Sequence, residues 1–433
     1  MSKLGERAVV CGAGMGGLLA ARVLSEFYGT VTLVERDKLP DGVSPRRGVP
    51  QGPHFHSLLS RGSQELDGLF PGLLDELVAA GATVCDDGDL SRLSIRVGGH
   101  EFNRSGKFAD PTAVVLYLLS RPLLESHVRR RVCALDNVEI LDGHDVVEPI
   151  AQPQRVTGAQ VVNRDTNAWG TLDADLVVDS MGRAPRTPAF LDSLGYGRPA
   201  EQRSVMGANY CSQLLRIPAD MITEKLTYVI PEPERPTGGA VSTYEHDTWI
   251  LTIGCMGEQE PPGDLAGMIA LAARFVSPAL LAALHAGEPL GEMAIFGYRG
   301  GFWRRYDKMP RFPAGLLVFG DAICSTNPIY GQGMTVAILE AVALRECLSQ
   351  AGGDLSRRFF DAAARLIDPI WAYDQTNDAC MSDRDGQTPE HRQLLDLRDE
   401  LLTAAESSTA MTESFFRVMH LIDPPKGSGS RVR

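Results

Sequence analysis

Ala8-Val9-Val10-Cys11-Gly12-Ala13-Gly14-Met15-Gly16-Gly17-Leu18-Leu19-Ala20-Ala21-Arg22-Val23-Leu24 is the stretch that decides how this chain folds. Ala8 to Cys11 is a short β-prone run, and Leu18 to Leu24 is an apolar helix that needs close packing on a sheet. Between them lies Gly12-x-Gly14-x-x-Gly17. In such a turn Gly12 permits the sharp bend, Gly14 lets a pyrophosphate approach the backbone, and Gly17 lets the helix lie close to the strand. The free N–H groups and dipole at the helix start favour an anion there. Val31 to Val34 forms the next apolar strand and ends at Glu35, whose carboxylate can accept hydrogen bonds from a ribose. Strand, turn, helix, strand is the unit of a parallel sheet.

Outward from that unit, further elements can be read. Residues 109–131 read as a helix opened by Asp110-Pro111-Thr112. Ala174 to Val178 is a buried strand ending at Asp179, and Leu316 to Phe319 is another, followed by Gly320-Asp321. Residues 225–255 alternate in polarity and predict antiparallel strands. A strong helix runs from Gly333 through Leu348, and residues 355–420 are mainly helical. The tail from Pro425 reads as disordered. The fold class is α/β: a discontinuous Rossmann-like nucleotide-binding domain (1–82, 108–195 and 303–350), a β-rich substrate domain (83–107 and 196–302) and a C-terminal helical region (351–433).

Composition narrows the function classes. The 433 residues carry a formal charge of −13, so the chain repels phosphate backbones and no nucleic-acid partner is expected. The eight cysteines form no Cys-x-x-Cys pair, which argues for reduced thiols and a cytoplasmic protein. His54 and His56 lack an evident third ligand, so no metal is expected. Apolar runs such as Ala113 to Leu119 are far shorter than the roughly 20 residues of a membrane span, and the N-terminus does not read as a signal peptide.

A second motif separates the possible dinucleotides. Gly320-Asp321-Ala322 ends a strand, and Asn327-Pro328-Ile329-Tyr330-Gly331-Gln332-Gly333-Met334 leads into a helix. With the first motif, this resembles the pair of FAD fingerprints of the para-hydroxybenzoate hydroxylase-like flavoprotein superfamily. Asp179-Ser180-Met181-Gly182-Arg183 is similar to that family's middle motif, although Met181 stands where many members carry an acid. The likeness spans essentially the whole chain and is greatest to actinobacterial-type epoxidases and hydroxylases that tailor polyketides and related natural products.

The resemblance implies FAD as cofactor and assigns contacts to it. Gly12, Gly14, Met15 and Gly17 form the diphosphate turn, Glu35 meets the ribose, Arg36 beside it also binds the cofactor, and Val146 lies near adenine. Asp321 takes the ribityl chain. Pro328, Gly331, Gln332, Gly333 and Met334 lie against the flavin. Arg46 or Arg47, and Arg121, approach the flavin or its pyrophosphate, for which guanidinium is well suited. It also implies the chemistry: NADPH or NADH reduces FAD, oxygen adds at flavin C4a to give a hydroperoxide, and one oxygen atom passes to an apolar small molecule by epoxidation or hydroxylation. Epoxidation needs no protein nucleophile, and no catalytic residue is assigned. No second Gly-x-Gly-x-x-Gly serves the nicotinamide, which equally admits an external flavin reductase as partner. An alkene reductase of the geranylgeranyl-reductase kind, an FAD-containing non-redox cyclase and a non-enzymatic flavin-binding partner are the alternatives. The apolar stripe Phe415, Phe416, Val418 and Met419 is a candidate cap over the substrate.

Overall fold

A computed structural model describes residues 3–204, 206–218, 222–257, 259–350, 352–381 and 389–424. The expected disordered tail lies outside the described residues. Five parallel strands form the central sheet, in the order Leu316–Val318, Leu176–Asp179, Gly5–Cys11, Tyr28–Val34 and Val138–Leu141. The Gly5–Cys11 strand is central, and the fingerprint turn rises from its carboxyl end. All-parallel strands need both faces covered, so they read as near-continuous apolar runs. Val10, Val31, Leu33, Val34 and Val178 are fully buried.

The helices Met15–Phe27 and Gly333–Ser349 pack against each other on this sheet. Helix Leu355–Cys380 lies beyond them, with Phe359 stacked on Phe319 at 5.9 Å. Both fingerprint helices therefore share one core.

A seven-stranded sheet forms the second layer. Its order is Glu288–Tyr298, Ala208–Arg216, Thr248–Met256, Thr237–Thr243, Leu226–Val229, Leu93–Val97 and His100–Glu101. The pairing is antiparallel except where Leu226–Val229 meets Leu93–Val97. The outer face of this sheet carries helices Leu265–Ala272 and Pro278–Ala286 over Trp249, Leu251 and Ile253. Its other face opens toward the central sheet. A three-stranded meander, His144–Gln152, Arg155–Asn163 and Trp169–Asp173, forms a separate small sheet packed against the strands Leu176–Asp179, Gly5–Cys11 and Tyr28–Val34.

One expectation requires correction. Residues 109–131 are not one helix. Leu116–Leu118 is a strand paired with Thr83–Cys85, and the helix begins at Arg121. The cap decides this: the Ser120 hydroxyl accepts the Leu123 N–H at 3.2 Å, and Pro122 occupies the first turn. The Asp110-Pro111-Thr112 signal is instead a turn, in which Asp110 accepts from the Thr112 hydroxyl. Among the described residues no helix is long and apolar enough to cross a membrane.

Candidate cofactor and substrate cavity

A cavity of about 670 Å³ opens between the two sheets, and both fingerprints stand in its wall. At one end Gly12 adopts φ +98°, where a Cβ would sit 2.7 Å from the Ser180 carbonyl oxygen. A side chain at Gly17 would run into the Gly12 carbonyl. Gly14 is different: it is extended, and the nearest atom beyond its two sequence neighbours is Arg46 Nη2, 3.8 Å from a Cβ position. The turn is thus closed against the protein at Gly12 and Gly17 and open at Gly14.

A buried ion network holds this turn from behind. The Glu35 carboxylate accepts the Ala13 N–H at 2.9 Å and the Asp37 N–H at 3.1 Å. The Arg46 guanidinium meets Glu35 at 3.2 Å, Asp37 at 3.2 Å and Glu125 at 2.8 Å, and donates to the Ala13 carbonyl at 3.0 Å. Burial pulls the Arg46 pKa down, but the carboxylates of Glu125, Glu35 and Asp37 together outweigh it and hold it above the ordinary value. Glu35 and Arg46 both reach the cavity wall, yet their charged atoms also brace the loop. Arg47 is exposed and lies outside the wall, because the network takes up its neighbour instead. Gly17 lies outside the wall too, at the packing position. Arg36 and Val146 line the outer end.

The second fingerprint forms the facing wall. Gly320 and Gly331 have φ of +65° and +68°, and Asp321 stands in the cavity wall. Burial raises the Asp321 pKa, against the opposing pull of Arg121 and Arg183. Helix Gly333–Ser349 begins without a side-chain cap, so its first N–H groups remain available. Gln332 Oε1 is buried with no partner among the described residues. Pro328, Gly331, Gln332, Gly333 and Met334 all stand in the wall. Arg121 does as well, with Nη1 3.4 Å from His56 Nε2.

Several residues of this site carried no sequence assignment. Asp378 accepts the Tyr330 hydroxyl at 2.9 Å, Asn327 Nδ2 at 3.1 Å and the Ser204 hydroxyl at 2.5 Å, which ties the helix Leu355–Cys380 to the fingerprint turn. Asp374 lies one turn earlier, and burial together with the Asp378 charge pushes its carboxyl far above the usual range. In the middle motif, Asp179 turns away from the cavity toward the Thr187 hydroxyl and the Met181 N–H. Arg183 faces the cavity instead, donating to Ser325 Oγ at 2.6 Å and Gly300 O at 2.8 Å. The spacing of Asp374 and Asp378, four apart on one helix, was a visible signal; their burial was not. Of the remaining wall, Tyr210, Phe296 and Tyr228 come from the seven-stranded sheet, and Phe416 and Met419 from the last helix. Phe415 and Val418 of the expected cap lie outside the wall.

Glu340 yields a direct test. It is fully buried beneath Gly320, whose N–H it accepts at 2.7 Å. Burial, aided by the Asp321 charge and opposed by the Gly320 N–H, pushes its pKa up to about 8 from an ordinary 4.5. A raised carboxyl contributes fully below its unfolded pKa, and the contribution is lost as pH rises through the folded value. Wild-type stability is therefore expected to fall between pH 5 and 8 by up to a few kcal/mol on this account. Glu340→Gln should flatten the slope and match or exceed wild type at pH 8 by calorimetry. An unchanged slope would refute the assignment.

A helix end and glycine loop on each side of one cavity, beside a seven-stranded and mostly antiparallel sheet, make up the fold seen in the para-hydroxybenzoate hydroxylase-like flavoproteins. The p-nitrophenol 4-monooxygenase PnpA of Pseudomonas putida DLL-E4 superposes with a TM-score of 0.64 at 18% identity, covering 97% of this chain and 99% of its own. PyrE3, a Diels-Alderase of pyrroindomycin biosynthesis, superposes with a TM-score of 0.63 at 15% identity, covering 96% and 81%. The chain belongs to the same family as Protein Rv3254 of Mycobacterium tuberculosis, to which it is 38% identical over 430 residues, 96% of this chain and 90% of that one. No protein-family model matches the chain.

Proposed function

We propose that this chain is an FAD-dependent monooxygenase that places one oxygen atom from O2 into an apolar small molecule, by epoxidation or hydroxylation, in the tailoring of a natural product. The supporting observation is that two fingerprints far apart in sequence face each other across one cavity. Gly12, Gly14 and Met15 would hold the diphosphate on the first helix, with Arg36, Glu35 and Val146 toward the adenosine. Asp321 and Arg121 would hold the ribityl end. Pro328 and Gly331 to Met334 would lie at the ring, where an open helix end suits a developing negative charge. The open cradle at Gly14 and the unpartnered Gln332 oxygen fit such an occupant.

When bound, FAD supplies hydride acceptance and the activation of O2. The chain's own residues orient the substrate and exclude water. Tyr210, Phe296, Tyr228, Phe416 and Met419 suit a flat apolar ligand. Electrons would come from NADPH or NADH, or through an external flavin reductase.

Fold alone does not decide the reaction, since PnpA and the Diels-Alderase share it. The test is purified protein loaded with FAD and supplied with NADPH, candidate polyenes and phenols, and isotopically labelled O2. Label in the product is the expected result. Product that gains only hydrogen would replace this reading with a reductase. Product formed without O2 or NADPH would replace it with a cyclase. Failure to take up FAD would overturn it altogether.

A further inference from the structure

Among the substrate-side residues, His54 is placed to read polarity in an otherwise apolar wall. It lies in the cavity wall beside Tyr210, whose ring meets it edge-on at 4.6 Å, and Phe296, at 6.0 Å. Its Nδ1 is 2.8 Å from the Ser212 hydroxyl, which is 2.6 Å from the Thr252 hydroxyl. Thr252 in turn accepts the Phe55 N–H at 3.4 Å. The His54 carbonyl faces His56 Nδ1 at 2.8 Å, which fixes the backbone. Nε2 has no hydrogen-bond partner among the described residues, and the ring stands in the cavity wall. Burial lowers the ring's pKa to about 4, so the imidazole is neutral at physiological pH.

A neutral imidazole donates from one nitrogen and accepts at the other. Here the two-hydroxyl chain can run either way. When Thr252 donates to Ser212 and Ser212 to Nδ1, Nε2 carries the hydrogen. When Nδ1 donates to Ser212 and Ser212 to Thr252, Nε2 is the acceptor. A ligand hydroxyl, both donor and acceptor, satisfies Nε2 in either state. An ether or carbonyl satisfies only one, and a hydrocarbon neither. A buried polar atom left unpaired is costly, and a site built for a hydroxyl rejects the analogue lacking it.

We propose that His54, backed by Ser212 and Thr252, is a substrate-contacting specificity residue that selects a flat apolar molecule bearing a hydroxyl group. This rests on the reading of the cavity as a flavin and substrate site. The Ser212–Thr252 pair pins the ring, and Tyr210 and Phe296 flank it with apolar surface.

The test uses full-length protein loaded with FAD and three probes of one shape: 2-naphthol, 2-methoxynaphthalene and 2-methylnaphthalene. Binding is read by calorimetry, and flavin uptake is measured in the same samples. Wild type is expected to bind 2-naphthol at least ~10-fold more tightly than 2-methylnaphthalene, with the ether between them. His54→Leu should bring that ratio to near one while flavin uptake stays unchanged. Ser212→Ala, which keeps His54 but frees its ring, should reduce the ratio part of the way. A wild type that does not discriminate, or that binds none of the probes, would overturn the assignment while leaving flavin binding intact. So would a His54→Leu protein that keeps the wild-type ratio. Wild type that takes up no flavin would overturn the proposed function as well.

Discussion

Gly12→Val is expected to abolish flavin retention and to destabilise the fold by about 3 kcal/mol or more. Two effects add. Gly12 sits at φ +98°, where a β-branched residue is a genuine outlier. Its Cβ would also lie 2.7 Å from the Ser180 carbonyl, which belongs to the chain leaving the neighbouring strand. That oxygen cannot swing aside as a long side chain would. The Gly12 N–H donates to Val34 O at 2.7 Å, so displacing the turn also loosens the next strand. Gly14→Ala is the matched control. Gly14 is in an ordinary extended conformation, and a methyl there meets nothing closer than Arg46 Nη2 at 3.8 Å. It should leave the thermal midpoint nearly unchanged and weaken flavin binding alone. Calorimetry with flavin absorbance after gel filtration measures both. A Gly12→Val protein with a full complement of flavin would contradict the account of the turn.

Arg46→Met should cost about 3–5 kcal/mol, the range for breaking a buried ion network by removing one partner. Three carboxylates, Glu35, Asp37 and Glu125, would remain around an empty position, with Glu35 and Glu125 each only 6% exposed. Methionine replaces the volume but none of the charge. The same change removes the hydrogen bond to the Ala13 carbonyl, so the fingerprint turn should bind flavin less tightly. Arg46→Lys keeps the charge but not the planar fork that reaches Glu35, Asp37, Glu125 and Ala13 together. It should fall between methionine and wild type in both measurements. Equal stability of Arg46→Met and wild type in denaturant titrations would show that the network contributes nothing.

Much of this molecule was legible in its residues, for identifiable reasons. The first strand, turn and helix obey strictly local rules: apolar burial on both faces, glycine where the backbone must bend, small residues where helix meets strand. The same holds at Gly320, Gly331 and Gln332-Gly333-Met334. The misreading at 109–131 was also local. Asp110-Pro111-Thr112 and Ser120-Arg121-Pro122 are both acceptable helix starts, and the pairing of Leu116–Leu118 with Thr83–Cys85 leaves the Ser120 cap to open the helix.

What the sequence determined by itself, then, was the parallel α/β layer and the two glycine turns, because each depends on backbone geometry within a dozen neighbouring residues. Tertiary structure decided the rest. It set Arg46 rather than Arg47 among three acids, brought Asp378 under Tyr330, and placed His54 against Ser212 and Thr252. These contacts join segments distant along the chain, and the burial that makes each one strong exists only once the two sheets have closed on each other.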